Sequence, residues 1–112
     1  MWIATKVGFF SIVRKKDEEF HVRARVRSDL AELMELTGIE SELFESKNAD
    51  YRFRLVVDRK TVEQIGSTLF AEIDYGNFKD RVSESPTQRD KSEAYGDIWA
   101  TMWGIQEGDP IL

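Results

Sequence analysis

The chain twice shows an alternating, strand-like segment that runs directly into a helix-like segment, and this recurrence constrains the fold most. The first copy is Phe20–Leu36 and the second is Tyr51–Leu69. A period of two is typical of a strand with one buried face, and the apolar spacing that follows in each copy is typical of an amphipathic helix. Ser28 or Asp29 can cap the first helix and Asp58 the second, because their side-chain oxygens accept from the unpaired amides of a first turn.

The segments around these copies predict further elements. Met1–Val13 is rich in β-branched and aromatic residues and predicts one strand that bends or bulges at Gly8. The first helix should end at Gly38, and a short strand is expected within Glu42–Ser46. The last helix is expected to span about residues 86–106, because a Ser-Pro-Thr-Gln sequence is typical of a helix start.

Together these elements predict an α+β fold in a single domain, residues 1–112, which is long enough to bury one core. Four mainly antiparallel strands, in two strand–strand–helix units followed by a C-terminal helix, would form a two-layer sandwich. The alternation places the helices on one face of the sheet and the basic side chains on the other, without fixing the order of the strands. The residues expected on that opposite face are His21, Arg23, Arg25, Arg52 and Arg54.

Composition excludes several classes of protein. The net charge of −5 argues against a general nucleic-acid binder. Cysteine is absent, which removes disulfides and thiolate chemistry and fits a reducing compartment. No apolar run approaches the roughly 18 residues of a membrane span, and the first residues do not resemble a secretory signal. We therefore expect a cytoplasmic protein whose partner is neither a membrane nor nucleic acid.

Charge is distributed unevenly along the chain. Arg14–Arg27 has six basic and three acidic residues, Ser28–Asp50 has one basic and seven acidic, and Tyr51–Lys60 has four basic and one acidic. Two interpretations stay open for the basic face. Its arginines are solvated and paired with neighbouring acids, or they bind an anion or an acidic partner through their forked donors. Because Phe53 falls on the buried side of its strand, no aromatic platform is expected among these arginines.

Catalytic chemistry has little support in this sequence. A serine-type triad would need the single histidine, His21, with Ser11 or Ser46 and an acid such as Asp50, but no nucleophile motif surrounds these serines. One imidazole without cysteine excludes a histidine-rich metal site, and no glycine-rich phosphate loop is present. No catalytic residue, metal ligand or cofactor is predicted.

The three tryptophans are candidates for an interface, because exposed aromatic side chains often anchor protein contacts. Trp99 falls on the apolar stripe of the last helix and is expected to be buried, Trp103 lies one position off that stripe, and Trp2 lies at an edge. They either complete the core or support a homodimer through the last helix or a sheet edge.

Short segments along nearly the whole chain are similar to one family. They are Trp2-Ile3, Thr5-Lys6, Gly8-Phe9-Phe10-Ser11, Val22-Arg23-Ala24-Arg25, Asp50-Tyr51 with Arg54, Glu72-Ile73-Asp74-Tyr75, Asn77-Phe78-Lys79-Asp80, and Tyr95, Trp99 and Met102. In these segments the chain resembles a family of small uncharacterised bacterial and bacteriophage proteins. The resemblance implies a shared fold and carries no activity, cofactor or site residue.

The features above favour a non-enzymatic binding or regulatory protein that acts through protein–protein contact. The alternative is a small-ligand or nucleotide-binding domain that uses the basic face of the sheet for an anionic ligand.

Overall fold

The computed structural model describes residues 1–109 and has the predicted α+β fold. The chain divides after Asp74 into two compact units, unit 1 (Met1–Asp74) and unit 2 (from Tyr75 on). The single domain over residues 1–112 stays a prediction. The elements are β1 (Trp2–Thr5), β2 (Gly8–Lys16), β3 (Glu19–Ala24), α1 (Arg27–Thr37), β4 (Phe44–Glu45), β5 (Phe53–Val57), α2 (Arg59–Ala71), α3 (Phe78–Glu84) and α4 (Ser92–Glu107), with a 3₁₀ turn at Arg89–Lys91.

The sheet of unit 1 has five strands in the order β1-β2-β3-β5-β4, and all neighbours are antiparallel. The predicted count of four strands is wrong, because the segment expected to form one strand folds into the β1–β2 hairpin. Thr5 builds its turn: Oγ1 accepts from the amides of Val7 and Gly8 at 3.2 and 3.1 Å and donates to the Gly8 carbonyl at 2.9 Å. The first unit of the repeat therefore contains three strands before its helix.

Gly8 leaves the hairpin in close contact with α1. A Cβ atom at this position would lie 2.6 Å from the Cβ of Asp29, which is closer than real Cβ contacts allow. The Asp29 side chain is buried and accepts from the Phe9 amide at 3.2 Å. Glycine at this position lets α1 approach β2 closely enough for that hydrogen bond.

The start of α2 and the end of α1 follow the sequence prediction. Asp58 caps α2 by accepting from the Thr61 amide at 2.8 Å, and Gly38 ends α1 in the left-handed region with φ 72°. The predicted cap of α1 is wrong, because α1 begins at Arg27 and its N-cap is Val26, two residues before Ser28, with no side-chain cap. Asp29 accepts a hydrogen bond from β2.

Both helices of unit 1 cover the face of the sheet that the alternation predicts. Val22 and Leu55 from the sheet are fully buried, as are Leu33 of α1 and Ile65 of α2. The predicted stripe of α2 extends too far, since the helix ends at Ala71 and Ile73 lies beyond it and is exposed. The opposite face of this sheet, called the outer face below, carries no helix of unit 1.

The turn between β1 and β2 is joined to the last residues of unit 1. Lys6 Nζ lies 3.2 Å from Glu72 Oε2 and 3.1 Å from Asp74 Oδ2. Burial lowers the pKa of Lys6, but the hydrogen bonds and charges of Asp74 and Glu72 outweigh it, so the net shift of this pKa is upward.

Unit 2 begins with a helix that the sequence analysis did not predict. Asn77 caps α3 by accepting from the Asp80 amide at 3.0 Å. Phe78, the first residue of α3, packs against Tyr75 and Tyr95 with ring centroids 5.9 and 5.2 Å apart. The aromatic residues of this segment therefore hold α3 against α4.

The last helix begins later than predicted. Ser85 and Pro86 follow the end of α3, and the Gln88 and Arg89 amides donate to the Ser85 carbonyl at 3.2 and 2.9 Å in a separate turn. Gln88, the last residue of the expected Ser-Pro-Thr-Gln helix start, is fully buried in that turn. α4 then starts at Ser92 without a side-chain cap.

Candidate functional site

One row of side chains crosses all five strands of unit 1 on the outer face. Residues that are directly paired on antiparallel strands project to the same side of a sheet. The register pairs Trp2 with Ser11, Ser11 with Arg23, Arg23 with Arg54, and Arg54 with Phe44. These five residues, called the central row, place two arginines between two aromatic side chains, and both aromatic side chains are exposed.

The two arginines of the central row bond to neutral groups. Arg23 Nη2 donates to the buried Ser11 Oγ at 2.7 Å, and Arg54 Nη1 donates to His21 Nδ1 at 3.1 Å. No carboxylate of residues 1–109 lies within 4.0 Å of either guanidinium. Arg23 Nε is also buried without a hydrogen-bond partner in this part of the chain. Two partly buried positive charges therefore lie side by side without an acid.

The contacts of His21 define its tautomer. An arginine can only donate, so His21 Nδ1 must be the acceptor for Arg54. Nε2 then carries the proton and donates to Glu19 Oε2 at 3.1 Å. The chain Glu19–His21–Arg54 orients the Arg54 side chain, and Ser11 is bonded to Arg23 rather than to this histidine. The arrangement is that of a positioned arginine and differs from a serine-type triad.

Tyr51 lies among the arginines, which the sequence analysis did not anticipate. The guanidinium carbons of Arg23 and Arg25 lie 4.6 and 4.3 Å from the centroid of its ring, and the ring is almost fully buried. Tyr51 precedes β5, so the strict alternation of that strand does not fix its side-chain direction. Arg23 and Arg25 thus cover the ring, which leaves no open aromatic platform at this position. Cation–π contacts to one ring hold Arg23 and Arg25 in place.

Arg25 and Arg52 differ from the central pair because each has a carboxylate partner. Arg25 Nη1 lies 3.3 Å from Asp50 Oδ1, and Arg52 Nη2 lies 3.1 Å from Glu45 Oε2. Both arginines lie just outside their strands and are half-exposed. Of the predicted residues, the structure thus groups His21, Arg23 and Arg54 and gives Arg25 and Arg52 their own acids.

A second surface lies on unit 2. Five large apolar side chains on one side of α4 are between 49 and 62% exposed. The expectation that Trp99 is buried is wrong, because Tyr95 is the buried residue of α4 and the stripe continues beyond the Phe78–Tyr95 contact. The Trp99 and Trp103 rings stack with centroids 5.5 Å apart, and Lys79 Nζ lies 4.4 Å from the Trp99 centroid. This surface, called the α4 apolar face, consists of Ile98, Trp99, Met102, Trp103 and Ile105.

Trp2 lies on β1, one of the two edge strands, as expected, and its side chain is exposed. Its ring lies 6.2 Å from that of Phe9, so one end of the outer face carries an aromatic pair. The third candidate tryptophan therefore belongs to the same face as the arginine pair.

A shallow cavity of about 430 Å³ lies between the end of α1 and the start of α2, beside Gly38, Ser41 and Gln64. Asp58 also borders this cavity, but it already caps α2, and the bond from Thr61 lowers the pKa of its carboxyl. No cluster of three or more metal-binding side chains occurs in residues 1–109. Within the same residues, no helix is long and apolar enough to cross a membrane.

Ser11, Phe44 and Tyr51 also surround the arginines, although the sequence pattern does not place them there. Ser11 and Phe44 could be found only from the pairing register, which the sequence does not fix. Comparisons of the chain with protein-family models, with curated proteins and with solved structures found no match.

Proposed function

We propose that this protein is a non-enzymatic binding or regulatory protein that acts through protein–protein contact, with the α4 apolar face as its contact surface. The observation that supports this proposal is the exposure of five large apolar side chains on one helix. Soluble monomers rarely expose contiguous apolar patches of this kind without using them.

The composition of the α4 apolar face suits a protein partner. Tryptophan anchors many interfaces, and methionine adapts to the shape of a partner surface. A helix that presents such a stripe fits an apolar groove. The remaining charges of α4 are Glu93, Asp97 and Glu107, without a lysine or arginine. A helix without basic residues has no electrostatic attraction to anionic lipid, which favours a protein over a membrane surface.

We place this function in the cytoplasm, because the chain contains no cysteine and so requires no oxidising compartment to fold. One form of the proposed contact is a homodimer in which the α4 apolar faces of two copies pack together. The other form is a complex with a different protein, and the two forms predict different results in purified samples.

The proposal can be tested with one matched pair of variants on α4. Met102→Glu adds a charge within the α4 apolar face, whereas Ala100→Glu adds the same charge to an exposed residue outside it. Sedimentation of the purified chain measures self-association, and capture from host lysate with cross-linking measures binding of other proteins. We expect Met102→Glu to abolish the contact and Ala100→Glu to keep it.

A purified chain that stays monomeric and captures no partner through α4 would contradict the proposal. If Met102→Glu and Ala100→Glu weaken the protein contact equally, that result would also count against the α4 apolar face as the contact surface. Circular dichroism checks that both variants keep the fold.

A further inference from the structure

We propose that Arg23 and Arg54 form a binding site for a phosphate monoester on the outer face of unit 1. This site is independent of the α4 apolar face and of the proposed protein contact.

Electrostatic repulsion between the two arginines favours a bound anion. Arg23 and Arg54 are directly paired on β3 and β5, so their Cβ atoms are about 4.5–5.5 Å apart, and like charges in such pairs are destabilising. Both side chains are partly buried, and no carboxylate among the described residues lies within 4.0 Å of either guanidinium. A bound anion would remove this repulsion, which makes the free energy of anion binding more favourable. Arginines that already pair with carboxylates do not offer this gain.

The two arginines also offer hydrogen-bond donors to a ligand. A guanidinium has five N–H donors, and the structure shows one side-chain hydrogen bond from each of these arginines, to Ser11 and to His21. The remaining donors of two adjacent forks match the oxygens of a phosphate, which accepts bidentate bonds from arginine. The buried Nε of Arg23 is a further donor without a partner within residues 1–109, and such groups call for an explanation.

Both arginines are already held in place without a ligand. Ser11 and the Tyr51 ring hold Arg23, while His21, itself bonded to Glu19, holds Arg54. Side chains that are already ordered lose little conformational entropy when a ligand binds. An arginine pair on a solvated surface would lack such support.

The charge of the site selects the class of anion. A phosphate monoester carries about −1.5 to −2 at pH 7 and therefore balances two guanidinium groups, whereas a carboxylate balances one. The Tyr51 ring is covered by Arg23 and Arg25, so it offers no open face for a nucleobase. Phe44 is exposed one strand beyond Arg54 and can contact the organic part of an ester. These features favour a monoester with an apolar group near its phosphate.

The test is a titration of the ¹⁵N-labelled full chain with phenyl phosphate, followed through the Nε–Hε signals of the arginines. We expect saturable shifts at Arg23 and Arg54. Arg23→Gln and Arg54→Gln should each weaken binding at least about tenfold, because each removes charge-assisted hydrogen bonds. The matched control is Arg14→Gln, which removes the same charge from an exposed arginine beside Asp17 and should change affinity less than about twofold.

Three results would overturn the site. The first is that phenyl phosphate causes no saturable shifts. The second is that Arg14→Gln lowers the affinity as much as Arg23→Gln and Arg54→Gln do. The third is that acetate binds as tightly as phenyl phosphate. If Arg23→Gln does not fold, Arg54→Gln decides alone, and unchanged affinity of a folded Arg54→Gln protein refutes the proposal. Arg23→Lys, which keeps the charge without the fork, should show an intermediate affinity.

A second titration identifies the source of the phosphate. A phosphoserine peptide that binds more tightly than phenyl phosphate supports the site and assigns it to a phosphorylated protein. A peptide that binds no more tightly supports the site and assigns it to a small phosphorylated molecule.

Discussion

Arg23 on β3 lies directly opposite Arg54 on β5, and each guanidinium donates to a neutral acceptor instead of a carboxylate. Their acceptors, Ser11 and His21, are themselves partly or fully buried. The stability of unit 1 therefore depends on small polar groups that hold two like charges in place.

Ser11→Ala should lower the free energy of unfolding by about 1–3 kcal/mol, because it leaves the Arg23 Nη2 donor without its 2.7 Å acceptor. Alanine fits the space of serine, so the loss is not one of packing. Urea denaturation measures the change. Ser67→Ala on the exposed side of α2 serves as the control and should stay within about 0.5 kcal/mol of wild type. Equal stability of the two variants would show that the Arg23 bond contributes nothing.

Gly8→Ala should destabilise the protein by about 1–3 kcal/mol, because the added Cβ would lie 2.6 Å from Asp29 Cβ and force α1 away from β2. Gly66→Ala provides the contrast. Its Cβ would meet no atom within 4 Å, and alanine favours a helix over glycine by about 0.5–1 kcal/mol. Thermal or urea unfolding should therefore show opposite signs for the two substitutions, and the same sign for both would contradict the close approach at Gly8.

Because of Asp58, the free energy of unfolding should fall as the pH becomes acidic. The hydrogen bond from Thr61 lowers the pKa of Asp58 below its ordinary value of 3.8. A lowered pKa means that the contribution of this carboxylate is complete above the ordinary value and is lost as the pH falls through the folded-state pKa. Asp58→Asn keeps a capping oxygen that does not titrate. We expect wild type to lose stability relative to Asp58→Asn below about pH 4, and parallel stability curves would contradict this.

Tryptophan fluorescence should report on the α4 apolar face without a known partner. Trp2, Trp99 and Trp103 are 74, 54 and 49% exposed, so acrylamide should quench all three in a dilute sample. If two copies pair through α4, quenching of a Trp2→Phe variant should fall as concentration rises. A Trp99→Phe/Trp103→Phe variant, which retains Trp2 alone, should show no such change. Strong protection of Trp99 and Trp103 at all concentrations would contradict their exposure.

The alternation of apolar and polar residues predicted the buried face of the sheet correctly, because Val22 and Leu55 have the period that a half-buried strand requires. The same pattern could not predict the register. Ser11, Arg23 and Arg54 form a row through backbone pairing between distant segments, and alternation places them on a face without fixing their neighbours. The sequence therefore predicted that the arginines share one face of the sheet, but it did not predict that Arg23 lies directly opposite Arg54.

The errors in unit 2 have a different cause. A stripe at helical spacing indicates that one side of a helix is apolar, but it does not indicate what covers that side. Tyr95 and Trp99 belong to the same stripe, yet the first is buried and the second is half-exposed. Periodicity cannot separate a core position from a position at an interface.

The ion pairs of Lys6 with Glu72 and Asp74 join positions that are 66 and 68 residues apart in the chain. Contacts that close such long loops are entropically costly to form early in folding. We infer that these ion pairs form after the sheet has assembled, so that their main kinetic effect is to slow unfolding. The pKa of Lys6 is raised, so these ion pairs stabilise unit 1 fully at a pH below the ordinary pKa of 10.5. Their stabilisation is lost as the pH rises through the folded-state pKa of Lys6. The β1–β2 turn thereby joins the beginning and the end of unit 1 in a late step of folding.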